Sequence, residues 1–376
     1  MGTFRSYGYV PLEPPTVELA RSAAGLDERR VLRFLDRDGS LLALRPDITT
    51  AVARVVAQRY REARGALRLA YFTSVFRQEH SMRGSEREYD QAGVELIGPS
   101  DRVADAEVVA LLADALRACG LATAEIDVGH ASVLDGFLDE VAEVARDDAR
   151  DRARAGDLVS LLEIVRAAGL APARVGQLRD AFRHRGPLAP FAEGRDQLPP
   201  RSASAVGELL ELAELLEAAG VSLPVRYDLG LVAPLGYYTG ITFQAIAPGL
   251  GSAIASGGRY DGLLARFGTD RAATGFGIAV PHLHQALVAT GQVAIDDAPL
   301  VTLEGGTPSH TLRVAAALRG AGVSVAIGAV AESAGRPVVA LRVIDGTRVE
   351  RDGLVTPVAD IAADLASVPD RREDRG

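Results

Sequence analysis

Four segments of this chain place charge and glycine where packing alone would not. In LRPDITTAVAR, Asp47 starts a helical pattern and Thr49 lies in its first turn. Asp47 can serve there as an N-cap, accepting from a free backbone N–H. In VFRQEHSMRGSEREYDQAGVELIG, Arg77 follows Val75 and Phe76, and Glu95 lies between Val94 and Leu96. Side chains alternate along an extended chain, so Arg77 shares a face with Val75. Gln91, Gly93 and Glu95 share another, with Gly93 leaving room beside the two polar groups. A buried arginine and glutamate must pair with each other or with a ligand. In LGYYTGITFQ, Tyr237 and Tyr238 stand together after a turn. Paired tyrosines serve packing more often than recognition. In SGGRYDGLLARFG, Gly257 and Gly258 precede Arg259, and a bare glycine pair lets backbone approach a ligand closely.

Composition narrows the chemistry further. The 376 residues contain no lysine and no asparagine. That excludes a Walker-type phosphate lysine and a Schiff-base lysine. Any phosphate or carboxylate must be held by arginine, a helix N-terminus or backbone N–H groups. The single cysteine, Cys119, excludes an internal disulfide and a thiolate metal cluster, and its apolar helix predicts a core position. His282 and His284 are two apart, poor spacing for a shared metal on a helix, and the other histidines are dispersed. Neither a metal nor a cofactor is expected. Forty-one basic against 50 acidic residues give −9, opposite to the basic excess of a chain built to bind nucleic acid. No apolar run approaches about 18 residues, so no membrane span is expected. The N-terminus has no apolar signal core, and a cytoplasmic location fits.

The elements that must position these residues can be read from periodicity. FRSYGYVPLEPPTVE reads as an extended stretch leading into a helix near Val17 to Gly25. Asp38-Gly39 between two apolar runs signals a hairpin. Ile48, Val52, Val55, Val56 and Tyr60 have helical spacing. Leu67–Arg77 and Tyr89–Gly98 read as two long strands joined by a charged loop, hence an antiparallel pair. A helix over 102–119 and a strand over 125–129 follow. Residues 132–220 read as a helical insertion of four or five helices. Strands resume over 225–229 and 238–246 and near Ala253. Gly257-Gly258 reads as a turn, with a helix starting near Tyr260, and GFGIAV over 275–280 as a buried strand leading into a helix. The expected fold class is α+β, an antiparallel sheet flanked by helices. Its core comprises 1–131 and 221–292, interrupted by the insertion. A small C-terminal α/β unit covers 298–368, with one helix and two strands across 337–350. The tail, 369–376, is expected to be disordered.

Taken in order over Phe4 to Leu287, the four segments and FRSYGYVPLEPPTVE resemble the catalytic core of class II aminoacyl-tRNA synthetases, specifically histidyl-tRNA synthetase. FRSYGYVPLEPPTVE resembles the first class II motif, which implies a homodimeric core. FRQEH…EYDQAGVELIG resembles the second motif, GYYTGITFQ the histidine-recognition segment, and SGGRYDGLL the glycine-rich signature. The departures concern adenylation. Active synthetases read RGLDYYTG where this chain reads APLGYYTG, with Ala233 and Gly236 at the arginine and aspartate places. Pro281 and His282 replace a Glu-Arg pair, and Ser85 stands at an expected arginine. The amino-acid pocket is retained. The resemblance implies that Asp47 and Thr49 contact the histidine ammonium, with Gln91 and Glu95 beside them. Tyr237 and Tyr238 would surround the imidazole, and Arg77 would pair the carboxylate or Glu95. This combination is similar to the regulatory subunits of ATP phosphoribosyltransferase. It implies a non-catalytic chain that binds L-histidine, partners a short-form catalytic subunit, binds no tRNA, and confers feedback inhibition. The −9 charge and a C-terminal unit shorter than an anticodon-binding domain, without a basic stripe, agree. The alternatives are a synthetase-like amino-acid sensor or scaffold with another partner, and an active histidyl-tRNA synthetase.

Overall fold

The computed structural model describes residues 1–20, 31–78, 87–233, 236–292, 299–330 and 337–366. Two compact units divide the chain, residues 1–292 and 293–376. Among the described residues no helix is long and apolar enough to cross a membrane. Ser85 and the tail 369–376 lie outside the described residues.

The first unit is α+β. Its strands are β1 (Val10–Pro11), β2 (Val17–Leu19), β3 (Arg33–Leu35), β4 (Leu41–Leu44), β5 (Leu67–Phe76), β6 (Glu88–Gly98), β7 (Glu125–His130), β8 (Arg185–Gly186), β9 (Val225–Asp228), β10 (Ile241–Ile246), β11 (Ala255–Arg259) and β12 (Ala272–Ala279). Nine of them form one sheet in the order β1-β5-β6-β12-β11-β10-β7-β9-β8. Pairing is antiparallel except for β1 with β5 and β7 with β9. A second small sheet, β2-β4-β3, contains the hairpin at Asp38-Gly39, where Gly39 takes φ +83°.

The helices are α1 (Gly2–Ser6), α2 (Ile48–Arg59), α3 (Arg102–Ala118), α4 (Ser132–Leu138), α5 (Glu143–Arg154), α6 (Leu158–Ala167), α7 (Pro172–Arg183), α8 (Ala189–Glu193), α9 (Pro200–Ala218) and α10 (Val280–Ala289). Six of these, α4 to α9, occupy 132–220, more than the four or five read from the sequence. Strand alternation gives the sheet two different faces. Val94, Leu96, Val128, Phe243, Phe276 and Ile278 point to one, where they form a core with Val108, Leu112 and Leu116 of α3 and Leu209 and Leu212 of α9. On the other face α2 buries Ile48, Val52 and Val56 against Leu69, Tyr71, Val75 and Ile97.

Four local expectations are corrected. Val17–Leu19 is a strand paired with β4, not the start of a helix; its β-branched and alternating residues satisfy a small sheet, and 21–30 lie outside the described residues. Gly257 and Gly258 lie inside β11, not in a turn. A methyl group on Gly257 would meet the Phe243 ring, and one on Gly258 would meet Ile241 O and the Tyr238 ring, so both glycines are packing requirements. The helix expected at Tyr260 is only a 3-10 turn, Leu264–Phe267. Cys119 is exposed at the C-cap of α3, beyond the last buried turn, not in the core.

The second unit has a five-stranded sheet in the order β14-β13-β15-β16-β17. Its strands are β13 (Leu300–Glu304), β14 (Val325–Ile327), β15 (Val338–Val343), β16 (Arg348–Arg351) and β17 (Leu354–Pro357). Helices α11 (Pro308–Gly320) and α12 (Val358–Ala366) accompany them. β13 to β15 are parallel, β15 to β17 antiparallel. The sequence reading missed β17 and α12. The core is Val301, Leu303, Val314, Leu318, Leu341, Val349 and Ile361.

Candidate functional site

The site lies on the sheet face that α2 partly covers. Register sets Gln91 opposite Ala279, Gly93 opposite Gly277 and Glu95 opposite Gly275, and Gly275 opposite Gly258 on the next strand. Directly opposed residues point to the same face. The middle of the sheet is therefore stripped of side chains around two polar groups. A methyl group on Gly275 would collide with Glu95 Oε2, and one on Gly277 with the Gln91 amide. The space beside Gly93 is filled by the Tyr71 hydroxyl, so that glycine admits a tyrosine and does not leave a gap. Gly275→Ala should displace the Glu95 carboxylate and weaken ligand binding; a titration indistinguishable from the parent protein would contradict this reading.

Asp47 and Thr49 arrive on the start of α2. Asp47 is the N-cap, accepting from Thr50 N at 2.9 Å and Thr50 Oγ1 at 2.7 Å, and is 6% exposed. The junction before it is pinned by buried Arg45, which donates to Ser74 O at 2.8 Å, to Pro14 O and to Thr73 Oγ1. Thr49 Oγ1 donates to Glu95 Oε1 at 2.7 Å. The Tyr260 hydroxyl pairs with Glu95 Oε2. Glu95 is 1% exposed. Burial pushes its pKa up to about 8; the bonds from Tyr260 and Thr49 oppose that, and the Asp47 charge adds to it. Gln91 Oε1 is buried with no hydrogen-bond partner. A buried carbonyl left unpaired costs about 1–3 kcal/mol, so it marks a place for an outside donor.

Tyr237 and Tyr238 enter from the loop before β10 and meet Tyr260. Ring centroids are 4.9 Å apart for Tyr237 and Tyr238, 5.7 Å for Tyr237 and Tyr260, and 6.4 Å for Tyr238 and Tyr260. Burial first, then the charges of Asp47 and Glu95, hold their hydroxyls above the ordinary tyrosine range. These phenols stay neutral donors at any physiological pH.

Arg77 is placed differently from the sequence reading. Its Nε donates to Pro46 O at 2.9 Å, and the guanidinium lies 5.6 Å from the Tyr89 ring centroid. Glu95 pairs with Leu69, eight residues along β5 from Arg77, which is roughly 25 Å of strand. A direct Arg77–Glu95 ion pair is excluded by that register. Arg77 stands instead at the Asp47 and Tyr238 end, where its charge lowers the Tyr238 pKa. Asp47, Thr49, Glu95, Tyr237 and Tyr238 are thus joined by hydrogen bonds, ring contacts and charge, Gln91 lies on the same sheet face, and Arg77 stands at its Asp47 end. Tyr260, Gly275 and Gly277 were missed. The signal for Tyr260 was present: alternation puts it on the same face as Gly258.

The raised Glu95 pKa has a consequence for stability. In the unfolded chain this group titrates near 4.5, in the folded chain near 8. Between those values the folded state holds the extra proton, so stability is greatest below the lower value and falls as pH rises through the window. Glu95→Gln should flatten that slope, melting with the parent near pH 4.5 and above it at pH 8. Parallel melting curves would show that Glu95 ionises without penalty.

The histidyl-tRNA synthetase family pattern matches residues 1–283. The ATP phosphoribosyltransferase regulatory subunit of Symbiobacterium thermophilum is 36% identical over 333 residues, 86% of this chain and 84% of its own. The chain belongs to the ATP phosphoribosyltransferase regulatory subunit family. The family member from Bacillus subtilis is 36% identical over 287 residues, covering 75% of this chain and 73% of its own. A crystal structure described as an ATP phosphoribosyltransferase regulatory subunit/histidyl-tRNA synthetase from Bacillus halodurans superposes with TM-score 0.77 at 30% identity, over 91% of each chain. Histidyl-tRNA synthetase from Nostoc sp. PCC 7120 shares the fold, at 20% identity and TM-score 0.74 over 97% of this chain and 92% of its own. The synthetase-like α+β fold expected from the motifs is the fold found.

Proposed function

We propose that this chain is a non-catalytic, histidine-sensing subunit of ATP phosphoribosyltransferase, acting with a short-form catalytic subunit in the first step of histidine biosynthesis. The supporting observation is the unpaired Gln91 carbonyl beside two buried carboxylates, Asp47 and Glu95, under a cluster of tyrosines. That set offers acceptors to an ammonium and ring faces and hydroxyls to an imidazole. Histidine carries both groups. Its carboxylate would meet Arg77, the cation at the rim.

The same pocket is poorly equipped for adenylation. Charge that builds on the α-phosphate needs preorganised cations. Ala233, Gly236, Pro281 and His282 stand where the synthetase resemblance implies Arg, Asp, Glu and Arg. Pro281 opens α10, and His282 Nδ1 is engaged with Ala253 O at 2.8 Å. Bound histidine would favour one arrangement of the complex, and by linkage the partner's state would change histidine affinity by the same factor.

The test is reconstitution with the short catalytic chain from the same genome. Phosphoribosyl-ATP formation should need both chains and should fall with millimolar L-histidine. Full activity without this chain, insensitive to histidine, would overturn the proposal. Histidine-dependent ATP–pyrophosphate exchange by this chain alone would restore the synthetase reading.

A further inference from the structure

The carboxylate at the base of the pocket has two oxygens, and each has a hydroxyl on it. Thr49 reaches Oε1 from the first turn of α2, and Tyr260 reaches Oε2 from the end of β11. These anchors differ in how they are held. Thr49 rides on a helix that packs on the sheet through apolar contacts. Tyr260 is fixed on both sides of its backbone. Its N–H donates to Ala273 O at 2.8 Å. Arg259, the residue before it, points through the sheet to the opposite face. There its guanidinium lies 2.9 Å from Asp105 of α3 and 3.1 Å from Asp261, and donates to Pro99 O and Asp101 O, each at 3.2 Å. Arg259 is 1% exposed and Asp105 0%. Asp105 also meets Arg102, which meets Glu208 of α9, which meets His130 of β7. Moving the Tyr260 backbone would break this buried ionic set.

We propose that Tyr260 is a positioning residue of the pocket: its hydroxyl, anchored through Arg259 to α3, holds Glu95 in the orientation that faces the ligand. This rests on the reading that the pocket takes histidine. A phenol can donate to an ionised carboxylate or accept from a protonated one, so Tyr260 serves both forms of Glu95. The other ionisable groups acting on Glu95 and its neighbours are Asp47 at the start of α2, Tyr71 of β5, Arg77 just beyond β5, Tyr89 of β6, and Tyr237 and Tyr238. Tyr9, ahead of β1, feels the Glu95 charge from further off. The hydrogen bonds from Tyr260 and Thr49 favour the ionised form of Glu95, against burial and the Asp47 charge. Removing the Tyr260 hydroxyl should therefore raise the pH at which Glu95 ionises, a change that lost packing alone would not produce.

The experiment compares the full-length parent with Tyr260→Phe, which keeps the ring. Calorimetric titration with L-histidine between pH 6 and 9 should show parent affinity rising with pH and levelling near 8. The variant should bind about tenfold more weakly at pH 7, with its midpoint moved up by roughly one pH unit. Equal affinity, or a uniform loss with an unmoved midpoint, would overturn the positioning role. A ligand-free readout separates this from the histidine reading: the carboxyl resonance of carbon-13-labelled Glu95, titrated in both proteins. If the parent ignores histidine but the Glu95 midpoint still moves up in the variant, the sensing proposal fails and the role of Tyr260 stands. Should Tyr260→Phe not fold, 3,5-difluorotyrosine at 260 makes a stronger donor of similar shape. The Glu95 midpoint should then move down, and no movement would refute the inference.

Discussion

Glu95→Ala should remove the response to L-histidine. The change deletes the buried acceptor at the base of the pocket and leaves the hydroxyls of Thr49 and Tyr260 without it. Truncating one partner of a buried, hydrogen-bonded charge pair costs about 2–5 kcal/mol, which is roughly a 30-fold to several-thousand-fold loss of affinity. Titration of the isolated chain and inhibition of the reconstituted enzyme should fail together, because they report one occupancy. Basal phosphoribosyl transfer in the complex should persist, since the pocket contributes nothing to that chemistry in the proposed role. Undiminished inhibition in this variant would sink the assignment of the site.

Arg259→Ala should be the most destabilising single change in the first unit. It strips Asp105 of its main partner while Asp105 stays 0% exposed. Burial already pushes the Asp105 pKa up against the pull of Arg259, and without that pull the carboxylate must protonate or draw in water. Leaving one charge of a buried pair costs about 3–5 kcal/mol. For a unit of 292 residues that is a drop of roughly 5–8 °C in Tm. Replacing both members with apolar residues of similar volume, Arg259→Met with Asp105→Leu, should recover most of the loss, because no buried charge remains. A fall of less than about 2 °C in the single variant would mean that Arg102, 2.7 Å from Asp105, suffices alone.

Local chemistry made much of the fold legible. The N-cap at Asp47, the hairpin at Asp38-Gly39, and the β5–β6 pair depend on neighbouring residues only, and all are present. The ordered synthetase-like motifs carried the sheet, and its register sets Gln91, Gly93 and Glu95 on one face of it. Errors arose where a distant partner decides the conformation. Gly257-Gly258 looks like a turn until the Phe243 and Tyr238 rings claim the space beside it. Val17–Leu19 looks helical until β4 supplies its hydrogen bonds.

The sequence by itself determined the inventory: no lysine, carboxylates at 47 and 95, a tyrosine pair, and glycines at alternate positions of one strand. It also determined which groups share a face, because alternation is a property of the extended backbone. Tertiary structure decided which of them meet. Register between β5 and β6 separated Arg77 from Glu95, and the β11–β12 pairing brought Tyr260 to Glu95 across 165 residues. Periodicity assigns a side chain to a face; the pairing of strands far apart in the chain sets its neighbour there, and that neighbour decides whether a buried carboxylate holds its proton.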